Sequence, residues 1–398
     1  MNDFDEELAQ RLASLRNQGL FRELRRADTP QSRRIEIEGQ TLLNFSSNDY
    51  LGLANEPALK EAAIKAVERF GAGAGASRLI SGSLAPHHEL DEAIADFKGA
   101  AAALGFSTGY AAALGAIGAL VGPGDLIILD KLVHACIVDA ARLCGAKLRV
   151  FDHNDLADLE RILQWAAGRS PKSEVRSPKA RTLIVTESVF SMDGDHAPLR
   201  ELVALKERYG AWLMMDEAHA TGLYGANRRG LAEELGTTDG IEIQMGTLGK
   251  ALGAAGGYIC GSRPLIEYLV NRARTFIFST APVPAAAAAA TAGIRFVQSQ
   301  AGEERRTLLW QRVAELSPSL TLRPSPLPSA IIPILIGAEA KAVEAASALR
   351  AQGIFVPAIR YPTVARGQAR LRLTVTATQT QADLAQLQTA LQSLDFRL

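Results

Sequence analysis

The strongest constraint on this chain is an alternation in its middle. Short apolar runs suited to strands occur at "DLIILD" (125–130), "KLRVF" (147–151), "RTLIVTES" (181–188), "AWLMMDEA" (211–218), "IEIQMG" (241–246) and "GGYICG" (256–261). Between most of them stand segments of helical period, such as "HACIVDAARL" and "HAPLRELVALKERYG". A strand apolar on both faces needs cover on both, and parallel neighbours need long crossovers; helices supply both. The pattern predicts an α/β fold, with a mostly parallel sheet in a large domain over residues 56–290. Residues 291–398 read as a small α+β domain. It has strand-like runs at 329–337, 353–359 and 369–375, and amphipathic helices in "AEAKAVEAASALRAQG" and "TQADLAQLQTALQSL". Residues 1–55 are expected to pack with it, and the helix "PVPAAAAAATAGIRFVQSQ" to bridge the two. The polar, proline-broken "GRSPKSEVRSPKA" (168–180) is expected to be an exposed loop.

Charge narrows the function classes. Lys plus Arg and Asp plus Glu are 43 each among 398 residues. That balance gives no reason to expect nucleic acid or an anionic membrane as partner. Three cysteines without a C-x-x-C pair suggest neither a disulfide framework nor a zinc ribbon, and fit a reducing compartment. The acidic, helix-patterned start is unlike a signal or transit peptide, and no apolar run reaches the ~20 residues of a membrane helix. The expectation is a cytoplasmic enzyme.

Several motifs carry chemistry. "IQMGTLGKALGAAGGYICGS" (243–262) holds a single charge, Lys250. Such a lysine is either a loop lysine at the surface, or an amine whose proton affinity is lowered by burial so that it can form a Schiff base with an aldehyde. Asp216, in "LMMDEAHATGLYG", stands where a strand ends; it is a ligand-edge acid or a helix cap. The letters DEAH also occur in helicases, but that reading needs a G-x-x-x-x-G-K-[ST] phosphate loop, which the sequence lacks. "GAGAGAS" (71–77) follows a helical pattern and has the wrong spacing for a dinucleotide fingerprint; it is a close-approach loop or a plain helix terminator. Ser107, Thr108 and Gly109 lead into a helix whose first amides suit a phosphate, or simply cap it. His134 starts another helix, as a structural residue or as a flat ring facing a cofactor. Glu187 and Ser191, in "TESVFSMDGD", follow a strand on the same edge. A lysine, an acid, a stacking ring and a phosphate cradle on one sheet edge together suit pyridoxal phosphate.

Five stretches, "LNFSSNDYLGL" (43–53), "TESVFSMDGD" (186–195), "DEAHATGLYG" (216–225), "TLGKALGAAGGY" (247–258) and "RTFIFST" (274–280), resemble the α-oxoamine synthases, a branch of the fold-type-I pyridoxal phosphate enzymes. The resemblance covers almost the whole chain. It implies a decarboxylative condensation of an amino acid with an acyl thioester, and a homodimer with the active site at the subunit interface. By resemblance Lys250 is the imine lysine and Asp216 the partner of the ring nitrogen. His219 and Ser191 serve the ring's phenolic oxygen, and His134 stacks on the ring. Gly109, Tyr110 and Thr247 lie at the phosphate, with Ser279 and Thr280 supplied by the second subunit. Asn48 and Arg360 match positions near the amino-acid carboxylate, with His134 also near the substrate, and Arg22 and Thr363 match positions near the acyl group. The segment 358–377 looks most like the branch that makes 8-amino-7-oxononanoate from L-alanine and a pimeloyl thioester, on coenzyme A or a carrier protein, in biotin biosynthesis. Sister branches use glycine and make aminoketobutyrate or aminolevulinate.

Overall fold

The computed structural model describes residues 3–168, 180–317 and 327–394. The loop expected at 168–180 falls almost wholly outside them. The chain forms two compact units: Leu53–Ser191 with Asp195–Arg306, and Met1–Gly52 with Met192–Gly194 and Thr307–Leu398.

The larger unit is built on a seven-stranded sheet. Its strands are β1 (Ala102–Phe106), β2 (Leu126–Asp130), β3 (Lys147–Phe151), β4 (Thr182–Glu187), β5 (Trp212–Asp216), β6 (Ile243–Thr247) and β7 (Gly257–Gly261). The spatial order is β1-β7-β6-β5-β4-β2-β3, and only β7 runs against the rest. The fold is therefore α/β with a mostly parallel sheet. Sequence reading missed β1, whose "AALGF" has no β-branched residue; pairing with β7 defines it. Parallel pairing stacks strand ends in register: Glu187 opposes Asp216, and Asp216 opposes Met245. The acids that close these apolar strands are thereby gathered on one edge.

Helix Gly109–Leu120 packs under the sheet and shows why it is made of alanine and glycine. A Cβ on Gly115 would lie 2.5 Å from Thr275 Oγ1 and 3.1 Å from Phe106, so a larger residue would push the helix off. Helix Pro284–Gln298, expected to bridge the units, lies inside the larger one against helices Pro57–Phe70 and Ala85–Lys98. Its face of Ala287, Ala290, Thr291, Gly293 and Ile294 is buried, and Gly293 approaches the Leu252 carbonyl too closely to admit a side chain.

In the smaller unit, strand Ala369–Thr374 pairs antiparallel with Ile331–Gly337 and with Ala358–Ile359. A hairpin of Arg34–Ile37 and Gln40–Asn44 adds Ile354–Phe355 in parallel. Its two-residue turn is Glu38-Gly39, both at positive φ, which is the geometry that twists a hairpin correctly. Helices Glu339–Ala351 and Gln381–Gln392 stand where their apolar period placed them. Among the described residues no helix is long and apolar enough to cross a membrane.

Candidate active site

Lys250 lies in the turn that joins β6 to β7. The turn is closed by Leu248 N–H donating to the Gly256 carbonyl and Ala254 N–H to Leu248, and Gly253 N–H donates to Lys250 O. Gly253 has φ +69°, and a Cβ there would sit 2.5 Å from Leu53, so only glycine closes the turn without strain. Its small residues are thus the means of holding one lysine in a fixed place. Lys250 Nζ lies 2.7 Å from His219 Nε2. That contact needs a lone pair on one of the two nitrogens, so the pair does not hold both as cations.

Asp216 ends β5 and is buried, with Oδ1 accepting from Ala218 N–H at 2.8 Å. Burial drives its carboxyl above the ordinary range, while the charge of Lys250, the Ala218 amide and His134 pull it back. The residue after it anchors the turn. Glu217 is fully buried and pairs with Lys98, at the end of helix Ala85–Lys98. Lys98 also donates to the Arg229 carbonyl, and Glu217 Oε1 accepts from Ala232 N–H at 2.9 Å. Burial, the largest effect, would discharge this lysine, but the charge and hydrogen bond of Glu217 together with Tyr258 and Cys260 more than offset it, and its pKa is raised. Thus the glutamate of "DEAH" fixes the backbone that presents Asp216 and His219. Lys98→Met should destabilise the larger unit by about 3–5 kcal/mol, because it strands a buried carboxylate, whereas Lys98→Met/Glu217→Leu should recover most of that loss. Urea unfolding of the two variants measures both.

His134 caps helix Ala135–Leu143. Its Nδ1 accepts from Cys136 N–H at 3.2 Å, which leaves the ring proton on Nε2. Loss of hydration lowers its pKa, opposed by the charge of Asp216 and reinforced by that of Lys250, so the ring is neutral near pH 7 although one side meets solvent. Ser191 is buried, and its N–H donates to Glu187 Oε2 at 3.2 Å.

Gly109 and Tyr110 open helix Gly109–Leu120, where Thr108 accepts from Ala111 N–H. A Cβ on Gly257 would lie 2.5 Å from Gly109, and Gly109 itself lies near Thr247, so β7, β6 and the helix start meet. Thr247 Oγ1 donates to the Gly256 carbonyl. The Tyr110 side chain turns outward to Asp139. Ser279 is half-buried and Thr280 exposed, in the loop after the short helix Arg274–Ile277.

The remaining candidates belong to the smaller unit and fall into two groups. Arg360 donates to the Gly19 and Phe21 carbonyls, Arg22 donates to the Tyr361 carbonyl at 3.1 Å, and exposed Thr363 donates its N–H to Arg360 O. Asn48 stands with a different arginine: its Oδ1 accepts from Arg372 Nη1 at 3.1 Å. Arg372 is buried and also donates to Thr374 Oγ1 at 2.8 Å. Sequence reading did not single out Arg372. The available signal was "ARLRLTV", an apolar strand with two arginines on one face. The other, Arg370, is accounted for by Asp193 at 2.7 Å.

Comparison with known proteins gives the family. The family model for aminotransferase class I and II matches residues 40–391. The 8-amino-7-oxononanoate synthase of Geotalea daltonii is 49% identical over 96% of this chain and 95% of that protein. That of Herminiimonas arsenicoxydans is 45% identical over 98% and 99%. Among solved structures, a variant of serine palmitoyltransferase from S. paucimobilis with bound PLP–myriocin aldimine superposes with TM-score 0.89 at 31% identity, over 97% of this chain and 96% of that one. An 8-amino-7-oxononanoate synthase from Francisella tularensis gives 0.72 at 28%, over 88% and 96%. With its lysine turn, its buried strand-end acid and a match running nearly end to end, the chain belongs to the class I and II aminotransferase family and, within it, to the α-oxoamine synthases.

Proposed function

We propose that this protein condenses L-alanine with a pimeloyl thioester to give 8-amino-7-oxononanoate, carbon dioxide and free thiol, a step of biotin biosynthesis. The observation that carries the reading is the half-buried Lys250 amine against His219, on the sheet edge that Asp216 closes, in a chain whose full-length relatives bear that enzyme's name.

The larger unit's donor set fits pyridoxal phosphate: an amine for the aldehyde, a buried carboxyl for a ring N–H, and the first amides of helix Gly109–Leu120 for the phosphate. When bound, pyridoxal phosphate supplies the carbonyl that holds the amino acid and a ring that takes up the charge of a carbanion. The chain's own residues do the rest. Lys250, freed of its proton, removes the proton from the α-carbon of alanine and later returns one. Asp216 keeps a negative charge fixed beneath the site, where low dielectric strengthens its pull on a cationic N–H. His134, with Nδ1 taken up by Cys136 N–H and its proton on Nε2, would offer its ring face to the cofactor and its Nε2–H to the thioester or carboxylate oxygen. Ser191 and His219 would serve the phenolic oxygen of the ring.

Arg372, with Asn48, receives the amino-acid carboxylate; a buried guanidinium suits a planar anion, whereas Arg360 is already held by two carbonyls. Arg360, Arg22 and Thr363 then serve the acyl side. The enzyme works as a homodimer in which Ser279 and Thr280 reach the phosphate of the partner subunit, and it acts in the cytoplasm, where its three free cysteines stay reduced.

Mass analysis of the product tests the reading. L-Alanine with pimeloyl-coenzyme A should yield the aminoketone, and glycine or a short acyl thioester should not. A product from glycine and acetyl-coenzyme A would assign a sister activity instead. In the same assay Arg372→Lys should raise KM for alanine about ten-fold or more, because a lysine cannot replace a two-pronged contact, with a smaller effect for Arg360→Lys.

A further inference from the structure

Glu187 ends β4 level with Asp216 on β5, and both carboxyls are buried. Glu187 Oε2 accepts from Ser191 N–H at 3.2 Å, and the backbone N–H of His134 also lowers its proton affinity. Its other oxygen, Oε1, has no hydrogen-bond partner among the described residues. A buried carboxylate oxygen without a donor is costly, whereas a hydroxyl is less so.

Two adjacent buried carboxyls do not both ionise; one keeps a proton. The surroundings decide which. Asp216 Oδ1 accepts a short bond from Ala218 N–H at 2.8 Å and Lys250 pulls on its charge, whereas Glu187 leaves Oε1 without a donor, so the negative charge settles on Asp216. We propose that Glu187 is a positioning residue that stands protonated at neutral pH, with its proton on Oε1, so that Asp216 is the single anion beneath the site while Oε2 holds the Ser191 loop through its N–H.

The charged and titratable groups facing Glu187 agree with this. They are Asp216 on β5, Lys250 after β6, and His134 and Cys136 at the start of helix Ala135–Leu143. Burial first, and then the Asp216 charge, push the Glu187 carboxyl up to about 8, against the opposing pull of Lys250 and the two backbone N–H groups. The neighbouring Cys136 thiol is driven up for the same reasons.

This inference rests on the proposed reading of the site, and its test is separable from it. Glu187→Gln keeps a neutral acceptor for both N–H groups and an N–H₂ in place of the hydroxyl. A carboxyl whose folded pKa lies above its unfolded one costs stability as pH rises through the interval. The melting temperature of Glu187→Gln relative to wild type should therefore climb from about pH 5 to about pH 8 and stay level beyond. In holoenzyme labelled with ¹³C at glutamate carboxyls, one resonance should stand at the neutral-acid position near pH 7, be missing from Glu187→Gln, and titrate well above the ordinary glutamate range. A melting difference independent of pH, or glutamates all ionised at neutral pH in the wild type, overturns the proposal, and the wild-type spectrum gives that answer even if the variant does not fold. Failure of alanine and pimeloyl-coenzyme A to give product would instead overturn the functional reading and leave both measurements of Glu187 standing.

Discussion

Lys250→Ala gives a folded protein that turns over at least about 10³-fold more slowly. The variant removes a positioned base, a contribution of about 10²–10⁴ by itself, and also the tether that places the reacting groups. Folding survives because the glycine turn around residue 250 is closed by main-chain bonds from Leu248, Gly253 and Ala254, none of which uses the lysine side chain. Borohydride treatment of the wild-type holoenzyme should fix the cofactor to the peptide that contains Lys250, and should fix none there in the variant. Peptide mass mapping checks this, and a label on another lysine would refute the assignment. His219, 2.7 Å from Nζ, loses a neighbour in the variant but keeps its place, since the Lys98–Glu217 pair holds the turn from behind.

Asp216→Asn lowers turnover by about 10²–10⁴-fold without loss of stability. A neutral amide of the same shape keeps an acceptor for the Ala218 amide but no longer stabilises a cationic N–H. Stability behaves in the opposite sense to activity. In the protein without cofactor the Asp216 carboxyl is held above its ordinary range, so its ionisation weakens the fold as pH rises from the unfolded value through the folded one. Asparagine carries no such penalty. The variant without cofactor should melt at or above the wild-type temperature at pH 8, and its deficit should be confined to the rate of α-proton exchange from alanine, read by deuterium incorporation. A large drop in melting temperature would make Asp216 a structural residue instead.

Legibility followed local chemistry. The apolar runs of β2 to β7 were visible because strands covered on both faces leave near-continuous hydrophobic sequence. The strand β1 was not, because "AALGF" gains its form from pairing with β7 and not from its own side chains. The hairpin at Glu38-Gly39 was equally hidden; its "RIEIEGQTLLN" carries only a short alternation around one turn glycine. Among the candidate site residues, Lys250, Asp216 and His134 drew notice as polar residues beside apolar runs, and His219 only through the family resemblance. Arg372 did not, since its distinction is burial beside Asn48, more than 300 positions away in sequence.

The sequence alone determined strands β2 to β7 and the amphipathic helices, that the reactive amine would sit among residues too small to crowd a ligand, and that acids would close the apolar strands. Only the tertiary structure decided which of those acids is charged and which arginine stands beside Asn48. Parallel register sets Glu187 next to Asp216, and the turn after β6 brings the Lys250 charge to act on both. Proton affinity depends on burial and on neighbours in space, and neither is a property of the chain's order.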